Sequence, residues 1–272
     1  MSESNTSLQT SLQALLPDVL TIARQAGQEI LKIYRSDYEV EIKDDDSPLT
    51  AADKASHNTI VAGLEALTPH IPILSEESDA IPYSERSQWQ EYWLIDPLDG
   101  TKEFIKQNGE FTVNIALIRG NKAVLGVVHV PDKDTDYFGS AETGAFMQKP
   151  GEEARSITVT SPAESPVRVV GSRSHRGELV DAYLEKLGDH VMVSMGSSLK
   201  LCLVASGEAD VYPRLGLTSE WDTAAAQAVV ESAGGTVINI DGSPLLYNAK
   251  EDILNPFFLV YGDPGRDWTS YL

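Results

Sequence analysis

The sequence predicts a mixed α/β protein in which an α+β half is followed by an α/β half. In the first half, two helical patterns precede a run of short β-rich segments that are joined by tight turns. After Pro166, strand and helix patterns alternate, as in a sheet covered by helices. The chain has 272 residues, enough for one large or two smaller domains. We therefore expect the functional cleft between the two halves.

The first element is predicted to be an amphipathic helix that ends near Tyr34. Apolar residues recur with a helical period from Leu12 onward, and the polar face carries both charge signs. A helix lying on a membrane would carry a basic polar face, so packing on a core is favoured. A second helix is predicted over residues 50–67.

The remaining elements follow from short apolar runs, turn residues and helical spacing. In the first half we expect strands over 71–74, 92–95, 112–118, 123–130, 137–139 and 145–148, the third and fourth forming a hairpin. The run Pro-Gly-Glu-Glu at 150–153 marks a boundary. In the second half we expect strands over 167–170, 191–195, 209–212, 236–240 and 257–261, and helices over 178–187, 198–206 and 223–233. These elements divide the chain into a loose arm (1–11), an α+β half (12–160) and an α/β half (161–272).

Charge and cysteine content limit the possible functions. The chain has 41 acidic against 21 basic residues, a net charge of −20, which opposes non-specific binding to nucleic acid or anionic lipid. A general DNA- or RNA-coating role is excluded. The single cysteine, Cys202, lies in an apolar run and cannot form an internal disulfide. No segment reaches the roughly 20 apolar residues of a membrane span, and the first residues lack a signal-peptide pattern. We expect a cytoplasmic protein.

The distribution of potential ligands indicates oxygen-based metal chemistry. Five scattered histidines and one cysteine form no pair at zinc spacing, whereas carboxylates recur at strand ends and turns. Such groups suit Mg²⁺, Mn²⁺ or Ca²⁺. The acidic run at 43–47 lacks the glycine and terminal glutamate of a calcium-binding loop, so a solvated loop is favoured there.

The segment at 93–104 is the most informative. An apolar strand is expected to deliver Asp96 at its end, and a turn through Pro97 brings Asp99 round to the same cavity, where the two could share a cation. Gly100 allows close backbone approach, and Thr101 begins a short helix whose N–H groups favour phosphate. The simpler alternative, that Asp99 only caps this helix, leaves Asp96 unexplained.

Three further acidic positions have both a functional and a simpler interpretation. Glu76 follows an apolar strand, where it could join a multi-carboxylate site or be surface charge. Asp222 lies at a helix start and could be an N-cap. Asp53 follows Thr50 with the spacing of a capping box.

Taken together, four motifs resemble the inositol monophosphatase superfamily of Mg²⁺-dependent, lithium-sensitive phosphatases. They are Ser-Pro-Leu-Thr-Ala-Ala-Asp at 47–53, Ser-Glu-Glu at 75–77, Asp-Pro-Leu-Asp-Gly-Thr at 96–101 and Trp-Asp-Thr-Ala-Ala at 221–225. The segments at 102–106, 109–114, 172–175, 196–200 and 212–214 resemble its bacterial CysQ branch, the 3′(2′),5′-bisphosphate nucleotidases. The resemblance runs from Leu12 to Tyr261 and implies a layered αβαβα sandwich.

The resemblance also implies residue roles. Glu76, Asp96, Asp99 and Asp222, with the Leu98 carbonyl, would bind two or three Mg²⁺ ions, with Mn²⁺ as a substitute and Li⁺ as an inhibitor. Asp53, Glu76 and Thr101 would be catalytic, Asp53 and Thr101 as a hydrogen-bonded pair near the water or the leaving group. The substrate would contact Glu76, Leu98, Asp99, Gly100, Thr101, Ser174, His175, Gly196, Ser197, Ser198, Lys200, Arg214 and Asp222. Arg173 and Arg176 add cationic groups to the same half.

The function implied is removal of the 3′-phosphate from adenosine 3′,5′-bisphosphate, and from its sulfated form, in sulfur metabolism. An inositol or sugar phosphatase is the nearest alternative, but Lys-Glu-Phe at 102–104 stands where those enzymes usually have Thr-Asn-Phe. A non-catalytic protein that binds divalent cations is a further alternative. The expected partner is a small nucleotide, without nucleic acid or a membrane span. Relatives occur as monomers and as dimers, and some are peripheral on the inner membrane, although no segment here would hold the chain there.

Overall fold

The computed structural model describes residues 11–35, 40–42, 48–171 and 177–272. Residues 1–10 of the predicted arm, the acidic run at 43–47 and the predicted substrate contacts Ser174 and His175 lie outside the described residues, together with Arg173 and Arg176. The helices are α1 (Leu12–Tyr34), α2 (Ala51–Leu67), α3 (Tyr83–Arg86), α4 (Thr101–Ile105), α5 (Glu178–Leu187), α6 (Leu199–Ala205) and α7 (Glu220–Ser232).

The first half contributes the larger sheet. Two short strands, β1 (Val40–Ile42) and β2 (Pro48–Thr50), pair with each other beside it. Seven of the described strands then form a sheet in chain order, parallel at its first pair and antiparallel elsewhere. They are β3 (Ile73–Ser75), β4 (Glu91–Asp99), β5 (Thr112–Arg119), β6 (Lys122–Val130), β7 (Thr135–Ser140), β8 (Gly144–Gln148) and β9 (Arg155–Ile157).

The second half contributes a smaller mixed sheet. Its described strands are β10 (Val167–Gly171), β11 (His190–Ser194), β12 (Val211–Arg214), β13 (Thr236–Asn239) and β14 (Phe258–Tyr261). Their order is β11-β10-β12-β14-β13, with β10 parallel to both of its neighbours and β14 antiparallel to both of its own.

The described helices and sheets stack in five layers, and the alternation of buried residues along β4 shows that both faces of the large sheet are covered. Trp93 and Ile95 pack against α1 and α2 on one face of the large sheet. Tyr92 and Leu94 face the opposite side, where α6 and α7 fill the space up to the small sheet. The outer face of the small sheet is covered by α5. This arrangement agrees with the predicted αβαβα sandwich.

The central helix α7 lies unusually close to the large sheet. Its buried face is built largely from alanines, and a Cβ added at Gly126 on β6 would lie 2.0 Å from the Ala225 carbonyl oxygen. No side chain fits there, so glycine and alanine together set the spacing between α7 and the sheet. That spacing places the N-terminus of α7 beside the end of β4.

Several predicted boundaries differ from the structure, and three of these differences concern the cleft or the extent of the first sheet. Strand β4 continues through Asp96 to Asp99, because cross-strand pairing with β5 persists beyond Ile95. Helix α7 begins at Glu220 rather than 223, because Ser219 provides its N-cap. The turn at 150–153 joins β8 to β9 and does not end the first sheet. The division into 12–160 and 161–272 stays a prediction.

None of the helices in the described part of the chain combines the length and apolar character that a bilayer crossing needs. The 23-residue helix α1 buries its apolar stripe against the large sheet, as its pattern predicts.

Candidate active site

The site is built around a β-bulge that changes the direction of two aspartates. Across the β4–β5 ladder, Asp96 pairs with Asn114 and Asp99 pairs with Thr112, so three steps on β4 match two steps on β5. In a regular strand, residues three apart point to opposite faces of the sheet. The extra residue of the bulge shifts the alternation of side chains by one position, so both aspartates face the same side of the sheet. A bulge therefore replaces the turn expected from the sequence.

The bulge is held by short-range and long-range hydrogen bonds. The Leu98 amide donates to Asp96 Oδ1 at 3.1 Å, and the buried Ser56 hydroxyl of α2 donates to the Pro97 carbonyl at 2.7 Å. Gly100 then has φ of 92°, in the left-handed region, and lies against the backbone of Glu110 and Phe111. Helix α4 begins at Thr101, as predicted.

Asp99 connects the two halves of the molecule. Its Oδ2 atom accepts hydrogen bonds from Ser197 Oγ at 2.5 Å, the Ser198 amide at 2.6 Å and Ser198 Oγ at 2.8 Å. The N-cap of α4 is Gly100, without a side-chain cap. The alternative in which Asp99 merely caps that helix is therefore wrong.

Asp222 reaches the same cleft from α7. It is the third residue of that helix, where it forms a capping box by accepting the Ser219 amide at 2.9 Å. Burial, followed by repulsion from Asp99 and Glu76, raises the pKa of Asp222 to about 8. Asp222 therefore takes part in capping α7, as the simpler interpretation predicts, but as the third residue of the helix. The N-cap residue itself is Ser219.

The predicted acidic residues interact electrostatically. Burial raises the pKa of Asp96 well above its usual range, and repulsion from Glu76, Asp99, Asp222 and Asp53 adds to the effect, in that order. Glu76 is connected to the Asp96 strand directly, because its amide donates to the Ile95 carbonyl at 3.3 Å. Carboxylates on α2, just after β3, on β4 and on α7 therefore all act electrostatically on Asp96. Their role as a metal site stays a prediction.

This set of oxygens suits a hard divalent cation. Several carboxylates here are shielded from water and repel one another, and a bound cation would relieve that repulsion. Over the described ranges, no three His, Cys, Asp or Glu side chains are already gathered closely enough to form a ready-made metal centre. The residues that could hold a cation are Glu76, Asp96, Asp99 and Asp222, with the Leu98 carbonyl.

Beside the carboxylates lies an open cleft of about 160 Å³. Of the residues predicted to bind substrate, those lining it are Asp99, Gly100, Gly196, Ser197, Ser198, Lys200, Arg214 and Asp222. Thr101 follows Gly100 directly, whereas the Leu98 side chain is buried beneath the surface. The remaining lining residues are Glu103, Leu201, Tyr212, Thr218, Thr223 and Phe258.

Charges of opposite sign occupy different parts of the cleft. Lys200 Nζ donates to the Ser197 carbonyl at 2.7 Å and lies 5.9 Å from the centre of the Tyr212 ring. Arg214 donates to the Leu217 carbonyl. A ligand with two anionic groups could therefore place one near the carboxylate-bound cation and the other near Lys200 and Arg214.

Some residues of the site were missed at the sequence level. Thr112 and Asn114 contact Ser197 and Ser198, and the buried Glu110 accepts the Gly196 amide at 2.8 Å. The signal was the alternation Thr-Val-Asn within an apolar strand, which places two polar side chains on one face.

Comparison with known proteins agrees with this geometry. Residues 12–258 match the model of the inositol monophosphatase family. The chain belongs to this family. The resemblance predicted from the sequence motifs is thereby confirmed.

Individual relatives cover most of the chain. The 3′(2′),5′-bisphosphate nucleotidase CysQ of Salmonella typhimurium is 49% identical over 248 residues, which is 90% of this chain and 99% of the relative. The CysQ nucleotidase of Escherichia coli K12 is 48% identical with the same coverage. The crystal structure of CysQ from Bacteroides thetaiotaomicron is 39% identical, with a TM-score of 0.81 and coverage of 97% of this chain and 100% of that one.

An inositol monophosphatase structure from Anabaena is more distant. It is 27% identical, with a TM-score of 0.76, and 96% of each chain is covered. The fold is thus shared across the family, and the higher identity is with proteins of the nucleotidase branch.

Proposed function

We propose that the chain is a Mg²⁺-dependent 3′(2′),5′-bisphosphate nucleotidase that hydrolyses adenosine 3′,5′-bisphosphate to AMP and phosphate. The proposal rests on the composition of the cleft. Carboxylates and the cations Lys200 and Arg214 line the same cleft, so one small ligand could contact both. Nucleotidases at 48–49% identity support the same assignment. The sulfated form of the nucleotide presents the same two phosphates to the site, so we include it as a second substrate.

The metal ligands in this proposal are Glu76, Asp96, Asp99 and Asp222, with the Leu98 carbonyl. Their fit rests on the chemistry of the donor set, because all are hard oxygen ligands and Asp96 is buried among like charges. When bound, Mg²⁺ lowers the pKa of a coordinated water and neutralises charge on the phosphate oxygens.

The protein residues supply orientation and proton control. Thr101 and the first amides of α4 would hold oxygens of the scissile phosphate, next to Gly100 where the backbone can approach closely. Asp53, in the first turn of α2 and buried, would pair with Thr101 to orient the attacking water. Lys200 and Arg214 would hold the 5′-phosphate, which fixes the direction in which the nucleotide enters.

The decisive experiment compares phosphate release from adenosine 3′,5′-bisphosphate, inositol 1-phosphate and fructose 1,6-bisphosphate, with and without Mg²⁺ and Li⁺. We expect Mg²⁺-dependent, Li⁺-inhibited turnover with the nucleotide preferred. Preference for inositol 1-phosphate would indicate an inositol phosphatase instead. The absence of Mg²⁺-dependent turnover with every substrate would favour a cation-binding protein.

A substitution at the cationic end of the cleft tests whether Lys200 contacts the 5′-phosphate of the substrate. Lys200→Met should raise KM for adenosine 3′,5′-bisphosphate by about 10-fold, because a charge-assisted contact to the second phosphate is lost. KM for a substrate with a single phosphate should change little. Lys186→Met, a change of an exposed lysine on α5, is the matched control. Equal effects on both substrates would contradict the placement of the 5′-phosphate.

A further inference from the structure

Two polar residues on β5, Thr112 and Asn114, are neither metal ligands nor substrate contacts in the proposed function. Thr112 and Asn114 are 0% and 1% exposed, on a strand whose other residues are mostly apolar. They are two positions apart and therefore share one face. That face carries their cross-strand partners Asp99 and Asp96.

Asn114 holds the hydroxyl group of Ser198 in one orientation. Ser198 Oγ lies 2.8 Å from Asp99 Oδ2 and 2.7 Å from the Asp222 carbonyl oxygen, both of which can only accept. The hydroxyl hydrogen is therefore committed to these acceptors, and a further neighbour must be a donor. Asn114 Nδ2, at 2.8 Å, is that donor.

Thr112 acts on Ser197 in the same way. Ser197 Oγ donates to Asp99 Oδ2, so the hydroxyl of Thr112, 2.6 Å from Ser197 Oγ, must donate to it. Ser197 has φ of 49°, a left-handed conformation that is unfavourable for serine. Hydrogen bonds from both sides offset that cost and hold the residue in place.

The two hydrogen-bond chains end on one atom. Thr112 acts through Ser197 and Asn114 through Ser198, and both reach Asp99 Oδ2. Rotation of the Asp99 carboxylate would break these bonds together. Because Ser198 also bonds the Asp222 carbonyl, the same arrangement connects β5 to the first turn of α7.

We propose that Thr112 and Asn114 are positioning residues for the phosphatase reaction, which orient Asp99 and the start of α7 through Ser197 and Ser198. The inference rests on the proposed function, since it assigns these residues to the same cation site. They do not touch the substrate in this scheme. Their effect passes entirely through the loop at 196–198.

The test uses variants that keep shape but remove a donor, Thr112→Val and Asn114→Leu, with Thr112→Ser as the conservative variant. The matched control is Thr68→Val, since the Thr68 side chain is also buried and its hydrogen bonds, to Leu64 and Trp93, lie outside the cleft. Three quantities are measured in full-length protein: the affinity for Mn²⁺ without substrate, kcat and KM for the bisphosphate, and Tm without metal.

Both test variants should bind Mn²⁺ about 10-fold more weakly and lower kcat by a similar factor, with KM within about two-fold, since each loses one buried hydrogen bond. Thr68→Val should lower Tm without changing Mn²⁺ affinity, and Thr112→Ser should restore wild-type values. If the test variants lowered Tm as the control does but bound Mn²⁺ like the wild type, a purely structural role would be established and the proposal overturned.

A double variant tests the route through Ser198. In a Ser198→Ala background, Asn114→Leu should cause no further loss of Mn²⁺ affinity, because its acceptor is already absent. Additive losses would refute the proposed chain. The Mn²⁺ affinity is measured without substrate. It therefore tests this inference even if the protein does not hydrolyse the bisphosphate and the proposed function is wrong.

Discussion

Among single side chains, the Asp99 carboxylate lines the cleft and accepts three hydrogen bonds across it. It lies at the end of β4 in the first half, and its hydrogen-bond donors, Ser197 and Ser198, belong to the second half. An aspartate in this position can bind a cation and hold the two halves in register. Its replacement should therefore affect catalysis more than a change of charge elsewhere.

Asp99→Asn should lower kcat by about 100-fold while the protein remains folded, because one metal ligand is weakened at constant volume. Steady-state kinetics at saturating Mg²⁺, with circular dichroism for the fold, provide the measurement. Asp181→Asn, on the exposed side of α5, is the control for a simple loss of charge. Wild-type turnover in Asp99→Asn would contradict the site assignment.

At the level of elements, two contacts determine how the layers fit together. Helix α7 rests on the large sheet at Gly126, and its N-terminus carries Asp222 into the cleft. In the small sheet, Arg168 on β10 binds Asp210, which precedes β12, through its amide and its guanidinium at 2.7–3.1 Å. None of the four residues that make these contacts, Gly126, Ala225, Arg168 and Asp210, lines the cleft.

Gly126→Ala should destabilise the fold by roughly 1–3 kcal/mol, because the added Cβ cannot be accommodated against the α7 backbone without a shift of the helix. Urea unfolding measures the change. Gly216→Ala is the control, since a Cβ there meets no atom within 4 Å and its φ is not in the left-handed region. Equal stability of the two variants would show that α7 does not determine the layer spacing.

The Asp210 contact predicts a pH dependence of stability. Burial alone would raise the pKa of Asp210, but hydrogen bonds from the Arg168 side chain and amide outweigh it, so the pKa is lowered from its usual value of 3.8. A carboxyl group with a lowered folded-state pKa stabilises the protein above its unfolded pKa and loses that contribution as pH falls through the folded value.

Asp210→Asn should therefore reduce the free energy of unfolding by about 1–3 kcal/mol at pH 6. The difference from wild type should shrink as pH falls below 3.8. Urea unfolding between pH 3 and 7 measures it, and Asp181→Asn supplies the comparison without a buried partner. A difference that stayed constant over the whole range would rule out this ion pair as its source.

For the whole molecule, the middle helix layer joins the two sheets into one core. A single cluster of buried residues runs from Leu94 and Val128 on the large sheet, through Leu203 and Val229, to Val260 on the small sheet. Neither sheet could keep its inner face covered without α6 and α7. The two halves therefore share a core, although each has its own sheet.

This shared core predicts one cooperative unfolding transition. Heating monitored by far-ultraviolet circular dichroism and by tryptophan fluorescence should give coincident midpoints, and the calorimetric and van't Hoff enthalpies should agree. Trp93 reports on the large sheet and Trp268 on the small one, so variants that keep only one of these residues, with Phe at the other three of the four tryptophans, separate the two signals. Two separated midpoints would show that 12–160 and 161–272 unfold independently.

The net charge of −20 is also a property of the whole molecule, and its meaning depends on where the acids lie. The four carboxylates proposed to hold the cation are a small part of the 41 acidic residues. Composition alone excluded a general nucleic-acid coat. It did not indicate that an anionic ligand could bind where a few acids converge.

Local pattern was sufficient for much of this protein. The helical period predicted α1 and α5 with their observed bounds, and the turn at 119–122 predicted the β5–β6 hairpin. The order of acidic motifs predicted the family. These features depend on neighbours within a few residues, or on motif identity, both of which a sequence displays directly.

The remaining features were decided by tertiary structure. The bulge that turns Asp96 and Asp99 to one face arises from pairing with β5, and the side chains of Thr112 and Asn114 hydrogen-bond to serines 85 and 84 residues away. The start of α7 likewise depends on Ser219 as its N-cap and on the backbone bond from Glu220 to Ile253. Contacts at such separations are selected by the packing of whole layers, and no local periodicity records them.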